Sequence, residues 1–354
     1  MEVEIDSKAD RIWERLTQVS IVLIGVIALA GALAAARAVL IPIVAAVIIG
    51  SVIGPAIEAM GRRGIPTLAS SGLLVALLFG VFYGVAAALA GPLADWIDRG
   101  PEIGELMKSR FEAIQPMIGT IGSFIDSVES IGRQASPPLV VDVADSSMLQ
   151  NAVSVITPAI GEFILFFGSL LFFLAGRVQI KRKVVQVIAP RPTRLAALRV
   201  FRTIEDRLGA YLVTATFINI GLGCATGIMS WALGLPNPIL WAALACVLNY
   251  IPYVGPAVMT LILTVVGLIT FPTVLAGLAP AAVFLVLTSI EGQFLMPLIV
   301  GRRVSLNPFG VFLSMAVWTW LWGPVGTFLA VPLLIAGKAL AEEMLTPDRP
   351  NLPG

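Results

Sequence analysis

The 354-residue chain contains no histidine, which removes the commonest metal ligand and the one side chain that titrates unperturbed near neutral pH. Any proton coupling has to run through a carboxylate or a lysine. Cysteine is almost as scarce. Cys224 and Cys246 both fall inside apolar runs, where a thiol packs as a small hydrophobe, so neither a metal site nor a disulfide is expected. Charge is short as well: Asp, Glu, Lys and Arg make up 13% of the chain and apolar residues 58%, whereas charged residues alone are about a quarter of a soluble domain. The composition is that of a polytopic membrane protein. A net charge of +1 carries no message about nucleic acid, and no basic, aromatic-interleaved stretch suggests a nucleic-acid surface. There is no Gly-x-x-x-x-Gly-Lys-Ser/Thr loop for nucleotide phosphates, so the chain is not expected to hydrolyse ATP. With no histidine, no paired aspartates and no serine, lysine and acid at catalytic spacing, neither an enzyme nor a cofactor is expected. The opening MEVEIDSKADRIWERL is acidic and mixed in charge rather than a short basic segment before an apolar core, so the first apolar run is expected to be a retained helix rather than a leader.

What the chain has in abundance is apolar runs. They lie at about 18–36, 38–60, 68–92, 151–175, 209–233, 235–270, 273–300 and 308–340, and about 20 such residues suffice to cross the hydrocarbon as a helix. The fold class is therefore all-α, with eight hydrophobic segments. The runs 235–270 and 308–340 are too long for one span and are broken in the middle, at Pro252 to Pro256 and at Gly323-Pro324-Val325-Gly326. Each is either one broken span or two half-length helices in a re-entrant hairpin. The two also resemble each other: each opens on Asn-Pro (Asn237-Pro238, Asn307-Pro308) and reaches a Pro/Gly turn after a similar interval, as a weak internal repeat would. Broken helices survive in lipid only where they are buried in protein or line a cavity. In transporters they carry the substrate or ion site.

Orientation follows from basic residues, which stay cytoplasmic. Arg62 and Arg63 follow the second run, and Arg177 to Arg207 form a basic stretch after the fourth, whereas residues 93–150 carry nine acids against four bases. The N-terminus is thus expected inside and 93–150 outside. Arg302 and Arg303 fall inside only if 235–270 is a hairpin, so charge favours the hairpin. The expected organisation is N-terminal membrane helices at 1–92, an extracytoplasmic segment at 93–150, the fourth helix with a basic cytoplasmic loop at 151–208, and a C-terminal membrane bundle with the transport site at 209–354. In the outer segment Met107, Phe111, Ile114, Ile118, Ile121, Ile125 and Val128 are spaced by four and three, giving an amphipathic helix with one apolar stripe. Its partner is a second copy, the rest of its own chain, or the membrane interface; we expect a homo-oligomer. Residues 134–150 read as a connector.

Ionisable groups inside a span cost several kcal/mol unless paired or facing water, so each is a candidate functional group. Glu291 lies inside the 273–300 run with Gln293 two residues on; it serves the transport path, or it is structural, paired with a buried amide or with Arg302 or Arg303. Glu58 stands one helical turn before Arg62 and Arg63, which suggests a local ion pair. Asn219, Asn249 and Asn307 add uncharged polar groups at depth or at the breaks, a set better suited to a small polar solute than to a naked multivalent ion. Trp318, Trp320 and Trp322 precede the second break: at a hairpin tip they would line a gate, and in a straight span they would be ordinary packing.

In the order Asn249-Tyr250-Ile251-Pro252-Tyr253-Val254-Gly255-Pro256, Glu291 to Met296-Pro297-Leu298-Ile299-Val300-Gly301, Leu306-Asn307-Pro308, Trp322-Gly323-Pro324-Val325-Gly326 and Ala330-Val331-Pro332, the chain resembles the autoinducer-2 exporter-like family of bacterial membrane transporters. The resemblance implies an inner-membrane protein, a large outer segment after the third hydrophobic run, homo-oligomeric assembly, and export of a furanone-type quorum signal or, as in some members, sodium/proton exchange. Relatives often have histidine where Asn307 stands here, so a histidine-dependent coupling step does not transfer. The reading is a secondary transporter of a small polar solute or monovalent cation in the bacterial inner membrane, with the lipid bilayer as its other partner. The site is expected between the two broken segments and draws on Asn249, Pro252, Gly255, Glu291, Gln293, Asn307, Gly323 and Gly326. A sodium/proton antiporter with Glu291 as the titrating group is the rival within transport, and a membrane scaffold that moves nothing is the rival outside it.

Overall fold

The computed structural model describes residues 2–100, 104–105, 148–187, 191–295 and 307–345, and all regular secondary structure among them is helical. The stripe from Met107 to Val128, Arg302 and Arg303, and the motif residues Met296 to Gly301 and Leu306 lie outside the described residues. The helices are α1 (Glu2–Ala35), α2 (Arg37–Gly61), α3 (Thr67–Asp98), α4 (Met148–Val187), α5 (Arg191–Ala232), α6 (Pro238–Leu248), α7 (Val254–Thr270), α8 (Val274–Ile290, continued by a wider π turn over Glu291–Leu295) and α9 (Pro308–Leu345). By length and composition seven helical stretches among the described residues suffice to cross a membrane, with α6 and α7 shorter but apolar. Helices are the only open-ended way to satisfy every backbone group in hydrocarbon, and the prolines at 42, 55, 92 and 280 sit inside helices as that setting tolerates. The basic stretch from Arg177 is helical on both sides of residues 188–190; Arg, Lys, Leu and Ala are good helix formers and extend α4 and α5 past their apolar portions.

The chain divides into two compact units. The first comprises residues 1–75, 157–209 and 305–354. Its core holds Ala46, Ile57, Leu170, Leu174, Leu329, Ala330 and Ile335. Within it α9 is folded on itself. Gly323 has φ 66° and ψ −150°, a conformation open only to glycine, and beyond it the chain returns: Ser314 Oγ donates to the Ala330 carbonyl at 2.9 Å, and the hydroxyls of Thr319 and Thr327 are 2.6 Å apart. A straight helix would hold residues 314 and 330 about 24 Å apart. The expected alternatives for 308–340 thus resolve as a hairpin. Trp322 is buried and donates through Nε1 to the Leu33 carbonyl at 3.1 Å, tying the first arm to α1. The Trp318 ring lies against it, tilted at 48° with centroids 4.6 Å apart, while Trp320 is exposed.

The same unit carries a buried cation. Arg177 of α4 is 4% exposed and its Nη2 reaches Glu205 of α5 at 3.1 Å and Glu58 of α2 at 3.4 Å, with Lys181 on the other oxygen of Glu205 at 2.5 Å. Glu58, expected to pair one turn along its own helix, instead meets an arginine from another helix; spacing along one helix is silent about neighbours brought by packing. Room for the guanidinium comes from Gly54, where a Cβ would lie 1.7 Å from Arg177 Nη1.

The second unit comprises 76–156 and 210–304. Leu222, Met229, Leu240, Trp241, Ala245, Met259, Leu263, Val266, Ala281 and Phe284 form one buried apolar cluster. Trp241 of α6 and Val266 of α7 share it and line the same apolar cavity of about 350 Å³, although a continuous helix would separate them by roughly 37 Å. Residues 249–253 therefore turn the chain back, with Tyr253 at φ 63°. The two hairpins use one device. A Cβ on Gly255 would lie 1.9 Å from the Leu248 carbonyl oxygen, and one on Gly326 would lie 2.0 Å from that of Trp318; in each, a glycine opening the second arm lets it touch the end of the first. This is the repeat that the two Asn-Pro openings suggested, though the openings themselves differ: Asn307 caps its helix by accepting from Phe309 N at 3.0 Å, whereas Asn237 is left-handed with no side-chain cap.

Candidate functional site

The polar side chains of the second unit gather where the hairpin turns. Asn249 caps the C-terminal end of α6 just before the turn, and α5 runs past with Thr216 and Asn219 on one face, three residues apart. Asn249 Nδ2 donates to Asn219 Oδ1 at 2.9 Å, and the Tyr250 hydroxyl donates to Thr216 Oγ1 at 2.8 Å. Thr216 in turn donates to the Leu212 carbonyl at 2.7 Å. Glu291 arrives from α8 at the start of the π turn, an irregularity that frees backbone carbonyls and is frequent at functional sites. It is 8% exposed, and its carboxyl group lies beside the Asn249 side chain. Asn249 is thus the hinge of the cluster, shared by a carboxyl group on one side and an amide on the other. Among the described residues no lysine or arginine lies within ion-pair distance of Glu291. The half-buried amide of Asn249 stands beside it, while Arg302 and Arg303, the other expected partners, lie outside the described residues.

The eight expected site residues separate accordingly. Asn249 and Glu291 meet. Pro252 and Gly255 shape the turn that carries Asn249, one by lacking an N–H and the other by its close approach to Leu248. Gln293 lies within the π turn and is exposed. Asn307, Gly323 and Gly326 belong to the first unit, where they cap, turn and close the α9 hairpin. Asn307 also lines a cavity of about 600 Å³ between the two arms, with Ser314, Trp318, Leu334 and Lys338. Thr216 and Tyr250, absent from the expected set, and Asn219, present only as a polar group at depth, complete the cluster. Their signal is polarity within otherwise apolar stretches.

Buried amides, hydroxyls and a carboxyl group are expensive in an apolar setting unless they satisfy one another or a ligand. Here they converge at a helix break inside a multi-pass all-α membrane protein, the arrangement by which transporters present polar groups and backbone to a solute. The family model described as AI-2E family transporter matches residues 21–346, and the chain belongs to that family of membrane transporters. It is 28% identical over 308 residues to the AI-2 transport protein TqsA of Escherichia coli (strain K12), covering 87% of each chain. It is 27% identical over 320 residues to a putative transport protein of Haemophilus influenzae, covering 90% of each, and 24% identical over 319 residues to the putative transport protein YrrI of Bacillus subtilis (strain 168), covering 87% of each.

Proposed function

We propose that this transporter is a secondary exporter of a small polar solute of the autoinducer-2 kind, seated in the bacterial inner membrane with its N-terminus in the cytoplasm. Glu291 and Asn249 form the centre of its binding site, Gln293 lies at the margin, and Pro252 and Gly255 hold the turn; Asn307, Gly323 and Gly326 serve the path through the other hairpin. The observation that carries the reading is a buried carboxyl group, Glu291, beside the half-buried amide of Asn249 at a hairpin turn, where backbone and side chains are available to a solute. The solute class is supported by the name of the relative TqsA, and the secondary mechanism by the lack of a nucleotide-binding loop. Assembly into a homo-oligomer rests on the stripe from Met107 to Val128.

Sodium/proton antiport is the second reading. It is favoured by one feature, that Glu291 has no cationic side chain beside it among the described residues, which suits a carboxylate exchanging a proton for a metal cation. Flux measured in sealed proteoliposomes, with autoinducer-2 inside and with a pH gradient, a sodium gradient or neither, separates the two. Solute efflux that needs wild-type Glu291 supports the first reading. Sodium-dependent proton movement with no solute flux replaces it with the second.

A further inference from the structure

The cavity of about 600 Å³ along the α9 hairpin is apolar at depth and basic at its mouth. Val317 and Trp318 line it from the first arm and Leu334 from the second, and Lys338 stands near the open end of the hairpin. The Ser314 hydroxyl, which also lines it, already donates to the Ala330 carbonyl at 2.9 Å, so the deep part asks for no polar ligand. At the mouth two cations share one carboxylate: Glu342 is 2.7 Å from Arg207 of α5 and 3.9 Å from Lys338. These three groups sum to a positive charge, and the Lys338 ammonium has donors for more than one acceptor. Arg207 closes the basic stretch, so the mouth lies at the level where basic residues leave the hydrocarbon. From Asn307 to Trp318 the first arm descends about 16 Å, half of the roughly 30 Å of hydrocarbon. The cavity is one leaflet deep. Two glycines keep it open. Glycine destabilises a helix interior, and neither Gly310 nor Gly337, both lining the cavity, serves a close approach of the arms: a Cβ on Gly337 would meet nothing within 4 Å, and one on Gly310 only the Asn307 Cβ at 3.9 Å.

We propose that this cavity binds one anionic phospholipid from the leaflet on the side of the basic stretch, its phosphate at Lys338 and an acyl chain between the arms. Basic pockets between membrane helices hold acidic head groups in this way. An apolar slot as deep as a leaflet, with a cation at its mouth, matches an amphiphile of that length better than a small polar solute, which would leave its hydroxyls unpaired against Val317 and Leu334. The lipid site is separate from the cluster around Glu291 and stands whether or not the solute reading does.

The test uses the full-length protein, stripped of lipid in detergent and titrated with phosphatidylglycerol or with phosphatidylcholine of the same acyl chains, the bound lipid being counted by native mass spectrometry. The wild type is expected to hold one phosphatidylglycerol per chain, preferred over phosphatidylcholine by at least about fivefold, the effect of one lysine beside an acidic lipid. Lys338→Gln should remove that preference. Gly337→Leu, which fills the cavity without meeting other atoms, should abolish the tightly held lipid of either kind. Arg202→Gln removes a cation that is 87% exposed on α5 and should change neither. Tight phosphatidylglycerol binding that survives Gly337→Leu puts the lipid elsewhere and overturns the inference. A preference lost in Arg202→Gln but kept in Lys338→Gln overturns it too, as does displacement of the lipid by glycerol phosphate at equal concentration, which would mark a site for free phosphate. Should Gly337→Leu fail to assemble, Gly310→Leu fills the cavity from the other arm with the same expectation, and unchanged binding there overturns the proposal.

Discussion

Gly54→Ala adds one methyl group to α2 and should break the buried ion cluster of the first unit. The new Cβ would lie 1.7 Å from Arg177 Nη1, 2.2 Å from Cζ and 2.9 Å from Nη2, so guanidinium and methyl cannot share the space. Backbone does not have to yield, because the obstructing group is the far end of a flexible side chain; the guanidinium moves, and what is lost is its pairing. That pairing has unequal parts. The contact with Glu58 is worth little, since that carboxylate is 52% exposed and solvent screens it. The contact with Glu205, which is 15% exposed against 4% for Arg177, carries most of the effect. Removing one partner of a fully buried pair costs about 3–5 kcal/mol. Here Lys181 stays on Glu205 and shelters it, so we expect about 1–3 kcal/mol for Gly54→Ala. Arg177→Met should cost a similar amount on its own. The decisive quantity is the double variant: once the guanidinium is gone, the methyl enters space already vacated, and Gly54→Ala on the Arg177→Met background should be neutral. The coupling read from denaturant unfolding of the purified protein is then about 1–3 kcal/mol. Strict additivity of the two changes, or a Gly54→Ala protein as stable as wild type, would refute the geometry.

Glu291→Gln keeps shape and hydrogen-bonding capacity, so the fold and particle size should persist while gradient-driven transport falls at least about tenfold, equivalent to roughly 1.4 kcal/mol of differential binding; wild-type rates across a pH and sodium series would make Glu291 purely structural. Cysteines replacing Thr319 and Thr327 in a background free of Cys224 and Cys246 should crosslink on mild oxidation, because the two hydroxyls are 2.6 Å apart, whereas a straight helix would hold the two positions about 12 Å apart and give no intramolecular bond. Gly255→Ala and Gly326→Ala each place a methyl against a backbone oxygen, which cannot rotate away as a side chain can; each should destabilise by about 1–3 kcal/mol, seen as a lower unfolding midpoint, and a neutral result at either would argue against the close approach of the arms. Single cysteines at 271, 303 and 345 should label from outside, inside and inside respectively, and labelling of 303 only from outside would overturn the proposed orientation.

The helices were legible because lipid leaves a run of apolar residues no other way to satisfy its backbone, and the two breaks were legible because prolines and glycines interrupt two of those runs at mid-length, but those residues left open whether each run is a hairpin or one broken span. The pairing of Asn249 with Asn219 was not legible in the same way. The two residues stand 30 positions apart, and periodicity marks each as an oddity in its own helix without saying that the turn at 249–253 delivers one to the other. Glu58 shows the limit most directly: its spacing to Arg62 satisfies the rule for a local ion pair, and its spacing to Arg177 satisfies no rule at all, yet Arg177 is the partner. Arg177 itself reads in the sequence as the first of a crowd of cytoplasmic charges, since it borders an apolar run. Its burial is decided by what α2 offers opposite it, and a glycine there says nothing until the helices are packed. The polar residues of the candidate site are thus each visible as exceptions to local pattern, whereas their partners are fixed only by contacts between helices. A search of a membrane sequence for function is therefore better aimed at every polar residue within an apolar run, taken as an unordered set, than at pairs chosen by spacing.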